Sequence, residues 1–577
     1  MDPRTAASVL KQIAAFLELR GESQFKCRAY EQAARAVASL DTDDLGALDR
    51  TGALAATPGV GKATLAVLRD LIEAGESRYL EELRANIPPG LTDLLNVPGL
   101  AIAKIHLLHE TLGIDSVDAL EVAARDGHLA KVKGFGPKTS AKLLRGIELF
   151  RSSASLSLLH RAVERARALL AAVRAHPDVV DAEVAGSLRR HMETVGDVDI
   201  VAACHDPLAV AGSFARAPGV RTVLRGDTTS PGIAFADGTH LDLFCVAEPA
   251  FALALWRATG SVQHVQTMCA LLSREGITLQ DDVLRDAAGR TVDVPDEAAI
   301  YRLVGLPFIP PEMREMGEEL LLAVANRIPA LVRPADIRGA LHCHSTWSDG
   351  KATIAEMAVA ARALGWSYIG ISDHSPAAFY AGGLSPDRVL AQHDEIDALN
   401  ASDPGIRILK GTEADILADG ALDYDAALLD RFDFVVGSIH SRFAMDRKKM
   451  TDRVLAALDD PHLTVLGHPT GRLLLSRDPY PIDIEAVLEK AAAVGIAVEL
   501  NADPKRLDLD WRHLGRAKAL GVPVAVGPDA HSTAGLANVT LGVGMARKAG
   551  LEADDLLNSR DADDVLAFAR ARREVVR

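Results

Sequence analysis

Residues 340–350 read ALHCHSTWSDG, a short apolar run that opens into His342, His344 and Asp349. Six later stretches repeat the plan: YIGISDHS (368–375, Asp373 and His374), RILKGTEAD (407–415, Glu413), FVVGSIHS (434–441, His440), TVLGHPTGR (464–472, His468), AVELNADP (497–504, Glu499 and Asn501) and VAVGPDAHS (524–532, Asp529 and His531). Helix-length segments separate them. Apolar strands alternating with helices, each strand closing on a metal-ligand residue type, describe a β/α barrel whose strand ends converge on one face.

Six histidines and three carboxylates at those ends exceed what one tetrahedral ion can use, since a catalytic zinc takes about three protein ligands. They suit two or three ions. Alternation along a strand sends His342 and His344 to one face and Cys343 to the other, so Cys343 is packing rather than a ligand. One such histidine alone is as often structural, because loops carry polar residues anyway; seven strand ends in succession are not a chance pattern. Clustered divalent ions hold the attacking and leaving oxygens of a phosphoryl group. Arg442, Arg472 and Lys505 or Arg506 follow ligand-bearing strands and are candidates to grip a phosphate.

Working outward, residues 155–325 hold a second constellation, AGSLRRHMETVGDVDIVAAC (185–204) followed by THLDLFCV (239–246). Asp197 and Asp199 stand two apart on an expected strand and face the same way; Asp242 on a later strand can meet them. Three such carboxylates repel one another unless cations intervene, which calls for a magnesium or manganese pair. Gly186 and Ser187 precede an expected helix whose N-terminus, with Arg189 and Arg190, suits a triphosphate.

The first 150 residues read as helical. Val9, Ile13, Phe16 and Leu17 share one face, and Phe25, Tyr30, Ala33, Ala34 and Val37 continue the pattern. Three turns interrupt it: TPGVGKAT (Gly59, Gly61, Lys62), NVPGLAIAK (Gly99, Lys104) and VKGFGPKT (Gly134, Gly136, Lys138). One such turn is ordinary punctuation. Recurrence at about forty-residue spacing, each with a lysine close behind, fits helix N-termini that hold DNA phosphates without reading sequence. The second turn has Ala101 in place of a second glycine.

The 577 residues exceed one core and imply three or four domains. A net charge of −16 argues against a chain-wide phosphate-binding surface, but residues 1–150 balance 18 basic against 20 acidic residues, and Arg125–Arg151 holds seven basic against two acidic. Cys27, Cys204, Cys245, Cys269 and Cys343 show no paired spacing, which speaks against a disulfide framework or zinc ribbon. No signal pattern or membrane-length apolar run occurs, so a cytoplasmic protein without a membrane partner is expected.

The stretch from about Ile337 onward, down to GHPTGR and NADPKRLDL, resembles a PHP (polymerase and histidinol phosphatase) domain, a distorted seven-stranded barrel. The GS…GDVD pattern resembles the palm of family X DNA polymerases, as does LPFIPPEMRE (306–315), and the N-terminal turns resemble helix-hairpin-helix motifs. Together they resemble the bacterial family X DNA polymerases over essentially the whole chain. The resemblance implies a helical DNA-binding domain at 1–90, a second at 91–152, an α+β palm and thumb at 153–330 and the α/β barrel at 335–577. In the barrel it implies one metal site from His342, His344, Glu413 and Asp529, a second in which Glu413 bridges to His440 and His468, and a third from Asp349, His374 and His531, filled by zinc or manganese. In the palm it implies metal-binding catalytic Asp197, Asp199 and Asp242, with Gly186, Ser187, Arg190 and Gly196 on the nucleotide.

Four positions depart from the family. Arg257-Ala258 replaces the Tyr-Phe pair that lines the sugar pocket, Val265 replaces an asparagine that contacts the nucleotide, and Val67 replaces the Schiff-base lysine of lyase-active relatives. Losing the aromatic platform and a polar contact weakens nucleotide binding by about a few kcal/mol, and without an amine at 67 no β-elimination lyase is expected. The expected activity is DNA repair: template-directed nucleotidyl transfer, weak in this chain, joined to metal-dependent phosphodiester hydrolysis as a 3′-5′ exonuclease, 3′-end processor or abasic-site endonuclease. The partners expected are gapped or 3′-ended DNA and deoxynucleoside triphosphates, the chain acting as a monomer. The alternatives are a phosphoesterase whose polymerase-like half only binds DNA, and a small-molecule phosphatase of the histidinol-phosphate type.

Overall fold

The computed structural model describes residues 3–576 apart from 39, 41–44, 75–76, 86–90, 92–93, 96, 98–99, 101, 133, 154–155, 226–227, 237 and 403–404. The chain forms two compact units, Met1–Ser155 and Leu156–Arg577. No helix among the described residues is long and apolar enough to cross a membrane.

The first unit is helical throughout its described residues. Helix Pro3–Leu19 buries Ile13, Phe16 and Leu17, and helix Gln24–Ala38 packs Tyr30, Ala33, Ala34 and Val37 against it. Phe25, expected on that face, is instead 85% exposed. Cys27 stands three residues before Tyr30 and takes the place in the stripe, whereas Phe25, two residues earlier, points off it. A single apolar core runs from Ala6 to Ile147, so packing is continuous across the boundary expected near residue 90.

The second unit begins with a five-stranded sheet in the spatial order Val179–Val184, Val198–Cys204, His240–Val246, Gly232–Phe235, Val220–Arg225. The second and third of these run parallel, with Asp199 opposite Asp242. Helices from Phe251 to Val324 build a separate small core around Trp256, Met268, Ile300 and Tyr301.

Seven parallel strands follow, hydrogen-bonded in chain order: Gly339–Ala340, Tyr368–Ile371, Arg407–Asp415, Phe434–Ser438, Val465–Leu466, Ala497–Asn501 and Val524–Gly527. Beyond the first strand, Cys343 pairs with Ala530 and the His344 amide donates to the Ala530 carbonyl at 2.9 Å, which nearly closes the barrel. Each strand matches one of the seven quoted stretches. Asp425, Asp446, Asp483 and Asp510 accept amide hydrogens at the starts of the helices that follow, so part of the acidity of this half is helix capping. Leu341, Tyr368, Leu409, Phe434, Val436 and Val465 belong to a compact apolar cluster in the barrel. The barrel is a packed core, with the polar residues at the C-terminal strand ends.

Candidate active sites

At those strand ends one carboxylate organises the centre. Glu413 is 1% exposed; its Oε1 lies 3.0 Å from His468 Nε2, 3.2 Å from His440 Nε2 and 3.4 Å from His342 Nε2. Its Oε2 lies 2.9 Å from His374 Nδ1 and 3.6 Å from His344 Nε2. Asp529 Oδ1 stands 3.3 Å from His344 Nε2 and 3.6 Å from His342 Nε2. Asp349 Oδ1 faces His531 Nε2 at 3.3 Å and His374 Nε2 at 3.6 Å. The His344 ring lies against both His531 and His374, with centroids 4.2 and 4.5 Å away. All nine residues expected at this face are together.

Their ligand atoms gather into three groups, each within 4.8 Å: His342, His344 and Asp529; His344, Asp349, His374 and His531; and His374, Glu413 and His440. His344 and His374 are shared between groups. His468, outside these three, reaches the centre through Glu413.

The donor set fits divalent ions. His342 Nε2 and both ring nitrogens of His344 are buried without a hydrogen-bond partner. The two Nε2 atoms face carboxylate oxygens at 3.3–3.6 Å, close to the roughly 3.3 Å edge of a tetrahedron with metal–ligand bonds of about 2.0–2.2 Å, and His344 Nδ1 lies 4.0 Å from Asp349 Oδ1. Orphaned buried nitrogens opposite carboxylates at that spacing suit ligands of a common ion better than hydrogen-bond pairs.

The electrostatics reflect the crowding. Burial drives His344 down to about 4, with His531 and His374 adding to the effect, and burial followed by Arg506 drives His468 down to about 3. Burial also opposes charge on His440, but Glu413 and Asp415 outweigh it and raise this histidine to about 10. The surrounding imidazoles overcome burial to hold the Glu413 and Asp529 carboxyls well below the usual range.

Several supporting residues carried no assigned role in the sequence. Glu499 accepts from His342 Nδ1 at 2.6 Å and from the His468 amide at 2.6 Å, fixing His342 so that Nε2 faces the cluster. Asn501 Nδ2 bridges Glu499 and Asp529, at 3.1 Å from each. Asp415 Oδ1 lies 3.3 Å from His440 Nδ1. The signal was position: Glu499 and Asn501 end a strand, and Asp415 lies two residues after Glu413. Asp373, adjacent to His374, instead holds the loop that carries Asp349, accepting from the Ser345 amide at 2.9 Å, the Ser345 hydroxyl at 2.6 Å and Gln392 Nε2 at 2.6 Å.

Of the candidate phosphate cations, Arg506 lies 3.5 Å from Asp529 Oδ2, beside the cluster. Arg442 and Lys505 are exposed. Arg472 is buried and engaged by Asp510 and the Leu507 and Arg506 carbonyls, so its guanidinium serves the fold.

In the five-stranded sheet, Asp199 lies within strand Val198–Cys204 and Asp197 immediately precedes it. Burial, then Asp197 and Asp242, push Asp199 up to about 7; burial and Asp242 also raise Asp197. Arg225 Nη2 holds Asp242 Oδ2 at 2.6 Å. Gly186 sits at φ +62°, where a Cβ would overlap the Asp199 carboxylate. Gly186 and Ser187 are the first residues of a four-residue helix, Gly186–Arg189, rather than preceding one. Gly196 is exposed just before Asp197.

Arg189 and Arg190 are both engaged. Arg189 pairs with Glu297 at 2.7 Å, and Arg190 donates to Glu315 Oε2 at 2.8 Å and to the Thr259 carbonyl at 2.8 Å. Lys548, on a helix after the last barrel strand, donates to the same Glu315 oxygen at 2.8 Å and to the Arg190 carbonyl at 3.1 Å. The LPFIPPEMRE stretch is therefore a junction, with Arg314 buried against Glu297, Glu312 paired to Arg547 and Glu315 joining Arg190 to Lys548. Arg257 pairs with Asp282, and Val265 packs against the small helical core.

In the first unit, Gly59 (φ +95°) turns the chain into helix Lys62–Ala74, and Gly134 (φ +95°) precedes helix Pro137–Ser153. The Gly61 amide donates to Thr64 Oγ1 at 2.9 Å. Lys104 Nζ lies 5.6 Å above the ring of buried Phe135, which ties the second turn's helix to the third turn. Gly136 immediately precedes Pro137, while Lys62 and Lys138 lie in the first turns of their helices. Gly99 falls outside the described residues. Val67 is buried.

Four family descriptions match the chain: a helix-hairpin-helix domain at 1–77, a SAM-like helix-hairpin-helix tandem at 91–148, a DNA polymerase beta thumb at 254–315 and a PHP domain at 340–502. A protein of Bacillus subtilis named DNA polymerase/3′-5′ exonuclease PolX is 36% identical over 573 residues, covering 99% of this chain and all of the relative. A probable phosphatase of Caldanaerobacter subterraneus is 33% identical over 208 residues, 33% of this chain and 74% of its own length. Another, from Syntrophotalea carbinolica, is 28% identical over 251 residues, 40% of this chain and 94% of its own. With a full-length relative joining the same helical, thumb and barrel regions, the chain belongs to the bacterial family X DNA polymerases that carry a C-terminal PHP domain.

Proposed function

We propose that this protein is a DNA repair enzyme that extends a primer at the palm and shortens DNA from its 3′ end at the barrel. The observation that carries the reading is the gathering of nine ligand-type side chains at one face, five of them histidines around Glu413, with buried imidazole nitrogens that no protein group satisfies. His342, His344, Asp349, His374, Glu413, His440, His468, Asp529 and His531 would hold two or three zinc or manganese ions. Such ions supply Lewis acidity toward phosphoryl oxygens and acidify a water to near neutrality. Glu499 and Asp415 keep His342 and His440 aimed inward, and Arg506 offers a cation beside the cluster for the strand's phosphate.

At the palm, Asp197, Asp199 and Asp242 would share magnesium or manganese with the incoming triphosphate. Gly186 leaves room for the Asp199 carboxylate, and Gly186, Ser187 and Gly196 would contact the nucleotide. Arg190 reaches a triphosphate only by exchanging its Glu315 partner. Gly59, Gly61 and Lys62, Gly99 and Lys104, and Gly134, Gly136 and Lys138 would hold DNA backbone without sequence preference. A monomer in the cytoplasm suits a chain that carries all these sites. Manganese-dependent shortening of a 5′-labelled strand, lost in His374→Ala, tests the barrel assignment; undiminished shortening in that variant would refute it.

A further inference from the structure

Aromatic residues make up 4% of the chain, and among the described residues the exposed aromatic side chains are Phe25, Phe308, Phe379 and Tyr380. The last two are neighbours, 85% and 63% exposed, with ring centroids 6.0 Å apart at 79°. They stand on a 3-10 turn, Phe379–Ala381, five residues after the ligand His374. The turn is firmly tied. The Leu384 amide returns to the His374 carbonyl at 2.8 Å, the Ser375 amide donates to the Glu413 carbonyl at 3.1 Å, and Arg388 donates to the Gly382 carbonyl at 2.8 Å. Tyr424 Oη closes the far side on the Leu384 carbonyl at 2.7 Å. Partial burial raises the Tyr380 hydroxyl, and the charges of Asp415, Glu413 and Asp349 add to the effect.

We infer that Phe379 and Tyr380 form a base-stacking platform that receives the unpaired 3′-terminal nucleotide of a DNA strand whose scissile phosphate lies in the barrel cluster. The inference rests on the barrel being a DNA hydrolase. Two aromatic rings left largely in water cost solvation; fixed beside a phosphodiester site, they offer faces to bases and are indifferent to sequence. A free phosphate or a small phosphomonoester has no base to place there.

The test compares two labelled single strands in manganese, identical except that the last two nucleotides of one are abasic tetrahydrofuran residues. The ratio of their kcat/KM values is read for the wild type, for Phe379→Ala/Tyr380→Ala and for Phe379→Trp. The wild type is expected to favour the base-bearing end by about tenfold or more, through KM. The double alanine variant should bring the ratio close to one, and Phe379→Trp should keep it. In a binding readout without turnover, a strand with 3′-terminal phosphorothioates and a terminal 2-aminopurine should lose fluorescence on the wild type and lose less on the double variant. An equal ratio and equal quenching in wild type and double variant would overturn the platform while leaving the hydrolase intact. No cleavage of either strand by the wild type would overturn the hydrolase reading, and the platform with it.

Discussion

The barrel cluster and the palm triad are both built from carboxylates at strand ends, yet they balance charge differently. In the barrel every ligand carboxylate faces imidazoles: Glu413 meets five of them, and its carboxyl stays well below the ordinary range despite full burial. In the palm Arg225 pairs with Asp242, and burial with the neighbouring aspartates outweighs Arg190 and Arg225 to raise Asp199 to about 7. On the proposed metal assignment, the histidine-rich site would already be assembled before its ions arrive. A carboxylate triad depends on cations brought with the nucleotide to make its charge tolerable. The departures at Arg257, Ala258 and Val265 fall on the side that depends more on its ligand.

The strongest way to break this contrast is at Glu413. Glu413→Gln should reduce strand shortening by more than the roughly 10–100-fold typical of an outer partner, and a titration should show fewer ions bound per chain. Primer extension should be retained. Glu499→Gln comes next: with the His342 orientation weakened, manganese affinity should fall about 10–100-fold, as followed by calorimetry. An unchanged affinity would separate Glu499 from the metal centre.

The palm side gives smaller effects. A carboxyl whose folded pKa lies above its unfolded value of about 3.8 costs stability progressively as pH rises from about 4 to about 7, and the cost is then constant. Asp199→Asn should therefore stabilise the metal-free protein in EDTA at pH 8 by about 1–2 kcal/mol, with little gain at pH 4, as read by thermal unfolding. Equal gains at both pH values would remove charge repulsion as the cause. Restoring the aromatic pair with Arg257→Tyr/Ala258→Phe should lower the nucleotide KM about fivefold, worth ~1 kcal/mol of partial ring burial.

The barrel was legible because a parallel strand buried on both faces writes a continuous apolar run, and each run here ends on a histidine or carboxylate. Seven of seven strands, and the gathering of all nine ligand-type residues, follow from that. What stayed hidden depends on neighbours distant in sequence. Asp373 and His374 are adjacent, yet only the structure shows that Ser345 and Gln392 claim the aspartate. Arg472 reads like a phosphate grip until Asp510 is seen on it. The engagement of Arg190 by Glu315 and Lys548 joins three segments that sequence spacing does not connect. Phe25 falls off the face because the stripe runs back from Tyr30 to Cys27, and Phe25, two residues earlier, is rotated away from it.

The most direct test follows a 5′-labelled primer on a one-nucleotide-gapped template with manganese, comparing the wild type with His344→Ala and with Asp197→Ala/Asp199→Ala. Two independent sites predict that shortening disappears only in the His344 variant and extension only in the double variant. Shortening with no extension by the wild type would contradict the account, leaving a nuclease guided by a polymerase fold that no longer transfers nucleotides.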